Sequence, residues 1–435
     1  MSAPPARAVG PKAAAAAHPG ASGVLFAVVA ANFFANLDRF AFTFLIEPIR
    51  LDLQATDTQI GLLSSSAFVV SYFIFGIPIA RWADVGARRT ILVVSIAIWS
   101  VMTILCGFAT SILMMALFRA GLGIAESGAA PASMSMLADC YPRARRHQAV
   151  SWFQAGGTLA PLLGIPALAA LSTAFGWRVA LFGAGLAGLS LSAILWFTLR
   201  EPRRGGFDDI AAPPPTTLGR GLAALVTSKP FVLHTLSHVF ASASLSIVIT
   251  WIGAYMMRGF AFSLGQMAGM LAVGGVLLSA STLITGRICA KLVETKLDDR
   301  WIAGVCTLAS LITIPATAAM LLAPSIGWFI AGFCASYLVM AVRIPPTLTL
   351  AAELVAPNTR ALATSIVVGL SSLLGAGLAP VVAGRLSDHL ALAVGEVEAL
   401  RLALLYTSLP CLVIAVLFGG LSIRFVGMKA AQSAP

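Results

Sequence analysis

The sequence predicts an all-α polytopic membrane protein, twelve transmembrane helices arranged as two six-helix halves. Three observations carry that expectation. Of the 435 residues, 59% are hydrophobic and 10% charged, with a mean hydropathy of +0.92; a soluble domain needs far more charge to cover its surface. The apolar residues fall into twelve runs of about 20 residues, the length that crosses a bilayer as a helix. Finally, Pro131, Asp139, Arg146 and Ala149 recur as Pro345, Glu353, Arg360 and Ala363, each offset by 214 residues, as a duplicated half requires.

In chain order, residues 1–20 form an Ala/Pro/Gly-rich tail, expected to be disordered. The apolar run behind it continues past the small residues near Ala30, which argues against a cleaved signal peptide. Spans are expected near 22–46, 58–80, 90–108, 112–138, 149–171 and 177–198, then 231–255, 266–290, 302–322, 326–351, 361–384 and 402–423. The first half is thus residues 21–199 and the second 230–424, with a C-terminal tail at 425–435. Between the halves, 200–229 contains EPRRGGFDDIAAPPP and has the composition of a linker.

Placing both termini in the cytoplasm puts 20 of the 28 Lys and Arg residues on that side and five outside, as the positive-inside rule asks. A net charge of +11 therefore reports topology, and no nucleic-acid partner is expected. The six cysteines are scattered, with no CxxC or Cys/His cluster. They read as buried thiols, with no metal site and no cofactor.

Chemistry concentrates between Leu113 and Ala149. Arg119 and Glu126 are seven residues apart, two helical turns, and so share a face. Gly121, Gly123 and Gly128 let a neighbouring helix or a ligand approach closely. Asp38 and Arg39 lie inside the first span. Ionisable groups at membrane depth are costly and usually mark a substrate or proton pathway. As a purely structural cluster these four charges are poorly explained, because buried ion pairs stabilise less well than apolar packing. As a switchable set they make sense: an arginine that changes partner releases one acid to take up a proton and engages another. Adjacent side chains diverge by about 100° around a helix. Arg39 is therefore expected to reach Glu126 or substrate, leaving Asp38 to trade protons at a cavity wall. The sequence leaves the carrier open between the two acids, leaning to Glu126.

In the second half, Arg343 precedes the Pro345-Pro346 pair. It suits either an anionic head group or snorkelling to the membrane surface. Gln154 and Thr158 are candidate cavity residues. Trp251 and Tyr255, one turn apart, suit an interfacial belt or a substrate contact. His234 and His238, also one turn apart, suit packing or cavity lining better than metal binding.

Three segments carry a family resemblance. PIARWADVGARR resembles the cytoplasmic motif G-x-L-A-D-R-x-G-R-R of the major facilitator superfamily; Asp84, Gly86, Arg88 and Arg89 match, while Ala80, Trp82, Val85 and Ala87 depart. Arg119, Gly121, Gly123 and Glu126 resemble the fourth-helix motif of proton-coupled members, and NLDRF supplies the first-helix charges. With IGLLSSSAFVVSYFIFGIPIARWAD, ESGAAPASMSMLADCYP and GWRVALF, the region 30–202 is similar to the spinster branch. That resemblance implies alternating access and an amphiphilic lipid substrate of the lysophospholipid or sphingoid-phosphate type, and the buried acids add proton coupling. It also implies a cytoplasmic gate at Asp84, Arg88, Arg89, Asp139 and Arg146. The anion:cation symporter branch, which carries sugar acids, shares the first-helix Asp-Arg and fourth-helix acid, so an organic-anion substrate is the alternative. The expected partners are the lipid bilayer, protons and an amphiphilic or anionic small molecule, for a monomer in a bacterial inner membrane. No nucleophile, metal spacing or phosphate loop points to an enzyme, and no signalling domain points to a sensor.

Overall fold

The computed structural model describes residues 20–203, 218–294, 299–356 and 359–432. Among the described residues there is no strand, and twelve helices are long and apolar enough to cross a membrane. They are α1 (Ala21–Phe44), α2 (Asp57–Gly76), α3 (Arg88–Gly107), α4 (Ile112–Cys140), α5 (Gln148–Phe175) and α6 (Trp177–Thr198) in the first half. The second half holds α7 (Lys229–Phe260), α8 (Leu264–Cys289), α9 (Arg300–Leu321), α10 (Ile326–Glu353), α11 (Leu362–Val394) and α12 (Glu396–Val426). Residues 1–19 of the expected tail and 204–217 of the expected linker lie outside the described residues. A short helix, Leu218–Thr227, occupies the end of that linker. The last helix continues to Gln432, through residues expected as a C-terminal tail.

Local signals explain the boundaries. Thr56 and Gln59 form a reciprocal capping box at the start of α2. The Ser111 side chain accepts the Met114 N–H at the start of α4. Gly176 turns α5 into α6 and Gly395 turns α11 into α12, at φ +86° and +81°. A residue with a Cβ rarely adopts that conformation, and the two halves use it at corresponding turns.

The duplication extends to defects in the helices. In α4 the regular helix stops at Glu126 and resumes at Ala129; in α10 it stops at Met340 and resumes at Ile344 after a 3₁₀ turn. A 214-residue offset maps one break onto the other. Both α5 and α11 carry a widened π-helical stretch, Ala160–Gly164 and Ser371–Leu378. Interrupted helices at membrane depth are tolerated where they line a cavity or are buried in protein.

Three apolar cores hold the bundle. One joins both halves, from Phe42, Leu45 and Ile49 to Trp251, Phe329 and Leu404. The second lies within the first half around Trp99, Met136 and Leu195, and the third within the second half around Phe231, Leu350 and Val367. The halves are thus fused at one end and separately cored at the other. Between them α2 packs on α11 and α5 on α8. Gly123 lets α4 meet α2: a Cβ there would lie 2.4 Å from the Phe68 carbonyl oxygen. Outward-facing Phe197 and Leu392 are 86% and 95% exposed, as suits side chains that meet lipid.

Candidate functional site

A cavity of about 460 Å³ lies between the halves. Asn36 and Arg39 reach it from α1, Tyr72 from α2, Glu126 from the break in α4, and Gln154 and Thr158 from α5. Its second-half wall is Gly275, Leu278 and Ser279 of α8. The polar chemistry therefore belongs almost entirely to the first half.

Two ion pairs cross between α1 and α4. Arg39 donates Nε and Nη2 to Glu126 Oε2 at 2.9 and 2.8 Å. The Arg39 side chain is 43% exposed and the Glu126 side chain 1%, so the guanidinium faces the cavity and screens the acid behind it. The rings of Phe68 and Tyr72 lie 5.0 and 5.4 Å from that guanidinium, an arrangement that favours a cation. The second pair is Asp38 with Arg119, at 3.9 Å. Thr103 donates to Asp38 Oδ1 at 2.5 Å. Arg119 donates to the carbonyls of Leu63 and Ser64 at 3.2 and 3.4 Å, in the π-helical turn Leu62–Ser66 of α2, where widening takes carbonyls out of the regular ladder. Its guanidinium also sits 4.3 Å from the Phe42 ring. Arg119 and Glu126 share a face as expected, yet each pairs with α1.

Several expectations are corrected. Asp38, expected at the cavity wall, does not line it; the residue is 6% exposed and faces Trp99, Thr103 and α6. The 100° divergence from Arg39 turns it to the protein side of α1. Trp251 and Tyr255 neither line the cavity nor face an interface: they are 0% and 4% exposed and donate to the carbonyls of Pro380 and Leu321 at 3.0 and 3.2 Å. Both sit in the core shared by the halves, where packing uses the rings and main-chain carbonyls satisfy the polar tips. Arg343 neither snorkels nor reaches the large cavity. It is 6% exposed and lines a separate cavity of about 40 Å³ with His238 and Ser310.

At the end where the halves are separately cored, Arg88 is buried in a nest of acceptors. It donates to Asp139, to Ser135 Oγ at 3.0 Å, to Glu201 Oε1 at 2.9 Å and to the Pro202 carbonyl at 2.9 Å. The Arg89 main-chain N–H donates to Glu201 Oε2 at 2.6 Å, and its guanidinium to the Trp196 carbonyl. Arg146 donates to the Ala138 carbonyl at 2.7 Å. These contacts join α3, α4 and the segment after α6 within the first half. The side chain of Asp84 lies outside the described residues.

The opposite end carries a network that sequence reasoning missed. Arg258, near the end of α7, donates to both oxygens of Asp57 at 2.9 and 2.8 Å and to Glu47 at 2.8 Å. Asp388 of α11 accepts the N–H groups of Asp57 and Thr58 at 2.8 and 2.7 Å, capping α2 from the other half. Arg50 bridges Glu47 and Glu396. The available signal was the cluster of charges between the first two spans, Glu47, Arg50, Asp52 and Asp57, in a chain with few charges elsewhere.

The sequence model of the Major Facilitator Superfamily matches residues 28–297. The chain belongs to that superfamily. Members are membrane transporters, and within the superfamily this chain is spinster-like. It superposes on the crystal structure of a bacterial homologue of the human lysosomal transporter spinster, in an inward-facing, unoccupied conformation, with a TM-score of 0.86 and 26% identity, over 95% of this chain and 99% of that one. It is 28% identical to an MFS-type efflux pump of Mycolicibacterium smegmatis across 93% of this chain and 92% of that protein. It is 25% identical to spinster homolog 1 of Xenopus tropicalis over 52% of this chain and 44% of that one.

Proposed function

We propose that this superfamily member is a proton-coupled secondary transporter of an amphiphilic anion of the lysophospholipid or sphingoid-phosphate type, working by alternating access. One observation carries the substrate class. The charged cavity is continuous with an apolar pocket, sharing Phe40, Pro161, Gly275 and Leu278 with it and ending on Ile165, Ile249, Leu271 and Tyr337. A head group would meet Arg39, Asn36 and Gln154, with most of a chain held in the same cavity of about 460 Å³ and only a few methylenes entering the apolar pocket of about 40 Å³ between α5, α7 and α8. A sugar acid needs polar partners on all sides, and the second-half wall supplies one hydroxyl, Ser279.

Coupling follows from the partner exchange that Arg39 allows. An anionic head group that takes over the Arg39 donors strips Glu126 of its counter-charge in a desolvated site, and the acid then takes up a proton. Asp38, one layer behind and paired with Arg119, would titrate with Glu126 as a coupled pair of acids. With the basic loops in the cytoplasm, the network of Arg258, Asp57, Glu47 and Asp388 closes the outer end. The cavity then opens inward between the two separate cores, and both termini are cytoplasmic. Similarity to bacterial relatives supports a place in the inner membrane.

The test is uptake into proteoliposomes under an imposed pH gradient, offering labelled lysophospholipid and labelled sugar acid in parallel. Gradient-dependent movement of the lysolipid, reduced at least tenfold by Ile249→Asn in the apolar pocket, is expected. Movement of the sugar acid alone would reassign the substrate to the organic-anion class.

A further inference from the structure

Arg343 is buried, and no carboxylate among the described residues answers it. Among the described residues it forms no ion pair and its guanidinium makes one hydrogen bond, from Nη1 to Ser310 Oγ at 3.1 Å, and both Nε and Nη2 are buried without a partner. His238 Nδ1, on the wall of the same cavity, is likewise buried and unpartnered. Ser242 adds a hydroxyl, while that of Thr313 already donates to the Ala309 carbonyl at 2.7 Å; among the described residues no acidic side chain lines the space. A buried guanidinium with free N–H groups is costly unless an anion or water takes them. This one sits where α10 is interrupted, at Ala341–Arg343, the kind of helix discontinuity at which transporters hold ions.

We propose that this second cavity is an inorganic-anion site, taking one chloride-sized ion as the counter-charge of Arg343. The volume selects the occupant. About 40 Å³ is room for roughly three waters at ~10–15 Å³ each, which admits a monatomic anion with a water or two and excludes a phosphate attached to a lipid chain. The site shares no lining residue with the large cavity, so the anion is a resident of the second half and distinct from the cargo. Nε and Nη2 of Arg343 lie on one edge of the guanidinium and can donate together to a single ion, with His238 as a third donor when Nδ1 carries the proton. The ion would let the interrupted α10 keep a cation at membrane depth without a fixed carboxylate.

The full-length protein in detergent, titrated with sodium chloride against sodium gluconate at constant ionic strength, is expected to show a saturable rise in unfolding temperature. Bromide should substitute for chloride, and Arg343→Met should abolish the rise while lysophospholipid leaves it unchanged. A wild-type protein indifferent to halide would mean that water fills the cavity and would overturn the proposal. A chloride response that survives in Arg343→Met would place the ion elsewhere, with the same consequence. Should that variant not fold, anomalous diffraction from wild-type crystals grown in bromide decides: a peak within hydrogen-bonding distance of the Arg343 guanidinium is expected, and a bromide-containing crystal without one refutes the site.

Discussion

Arg39 delivers two N–H groups to one oxygen of Glu126, Oε2, and leaves the other oxygen, Oε1, buried without a hydrogen-bond partner. The contact is charge-assisted but one-sided. It neutralises the carboxylate while keeping a bare oxygen on which a proton can be placed without first breaking a hydrogen bond.

Glu126→Gln is therefore expected to remove proton-driven accumulation, by at least tenfold in initial rate under a pH gradient, while substrate exchange without a gradient continues. Counterflow in proteoliposomes measures the second quantity. Full gradient-driven transport by the variant would move the proton role to Asp38.

Thr103 supplies the hydrogen bond to Asp38 at 2.5 Å. Hydrogen bonds to charged groups contribute about 1.5–3 kcal/mol, so Thr103→Val should destabilise the first half by that order and lower the unfolding temperature in detergent. A variant as stable as wild type would mean that the hydroxyl does not hold the carboxylate.

Arg88 and Glu201 separate a buried contact from a half-exposed one. The Arg88 side chain is 1% exposed and that of Glu201 34%. Arg88→Met takes the buried guanidinium away from Asp139, and breaking one side of a buried pair costs roughly 3–5 kcal/mol; Glu201→Gln should cost about 1 kcal/mol or less. Combining Arg88→Met with Asp139→Leu should recover much of the loss. Thermal unfolding of the four proteins checks the order, and equal losses for Arg88→Met and Glu201→Gln would contradict it.

Arg258 joins α7 to Asp57 and Glu47 across the two halves. Arg258→Gln should loosen that end and enrich a conformation in which the halves part there. Spin labels at Leu51 and Leu392, exposed by 62% and 95%, report the change as a longer distance component in the variant. An unchanged distribution would show that the apolar core alone holds the end shut.

The sequence by itself determined the twelve spans, the duplication and the identity of the charged residues, because hydropathy, the positive-inside bias and a fixed repeat offset are local or additive properties of a chain. The expected third span, 90–108, and the observed Arg88–Gly107 differ by a residue or two. Tertiary structure decided the pairing. Asp38 and Arg39 are neighbours in sequence but answer different partners, since each follows the azimuth of α1 and the face that α4 presents. Arg258 and Asp57, 201 residues apart, meet because α7 ends and α2 begins at the same depth. Trp251, Tyr255 and Arg343 looked equally eligible for a binding site from composition. Helix rotation put the two aromatics into the shared core and the arginine into a cavity of its own, and no local property of the sequence records that rotation.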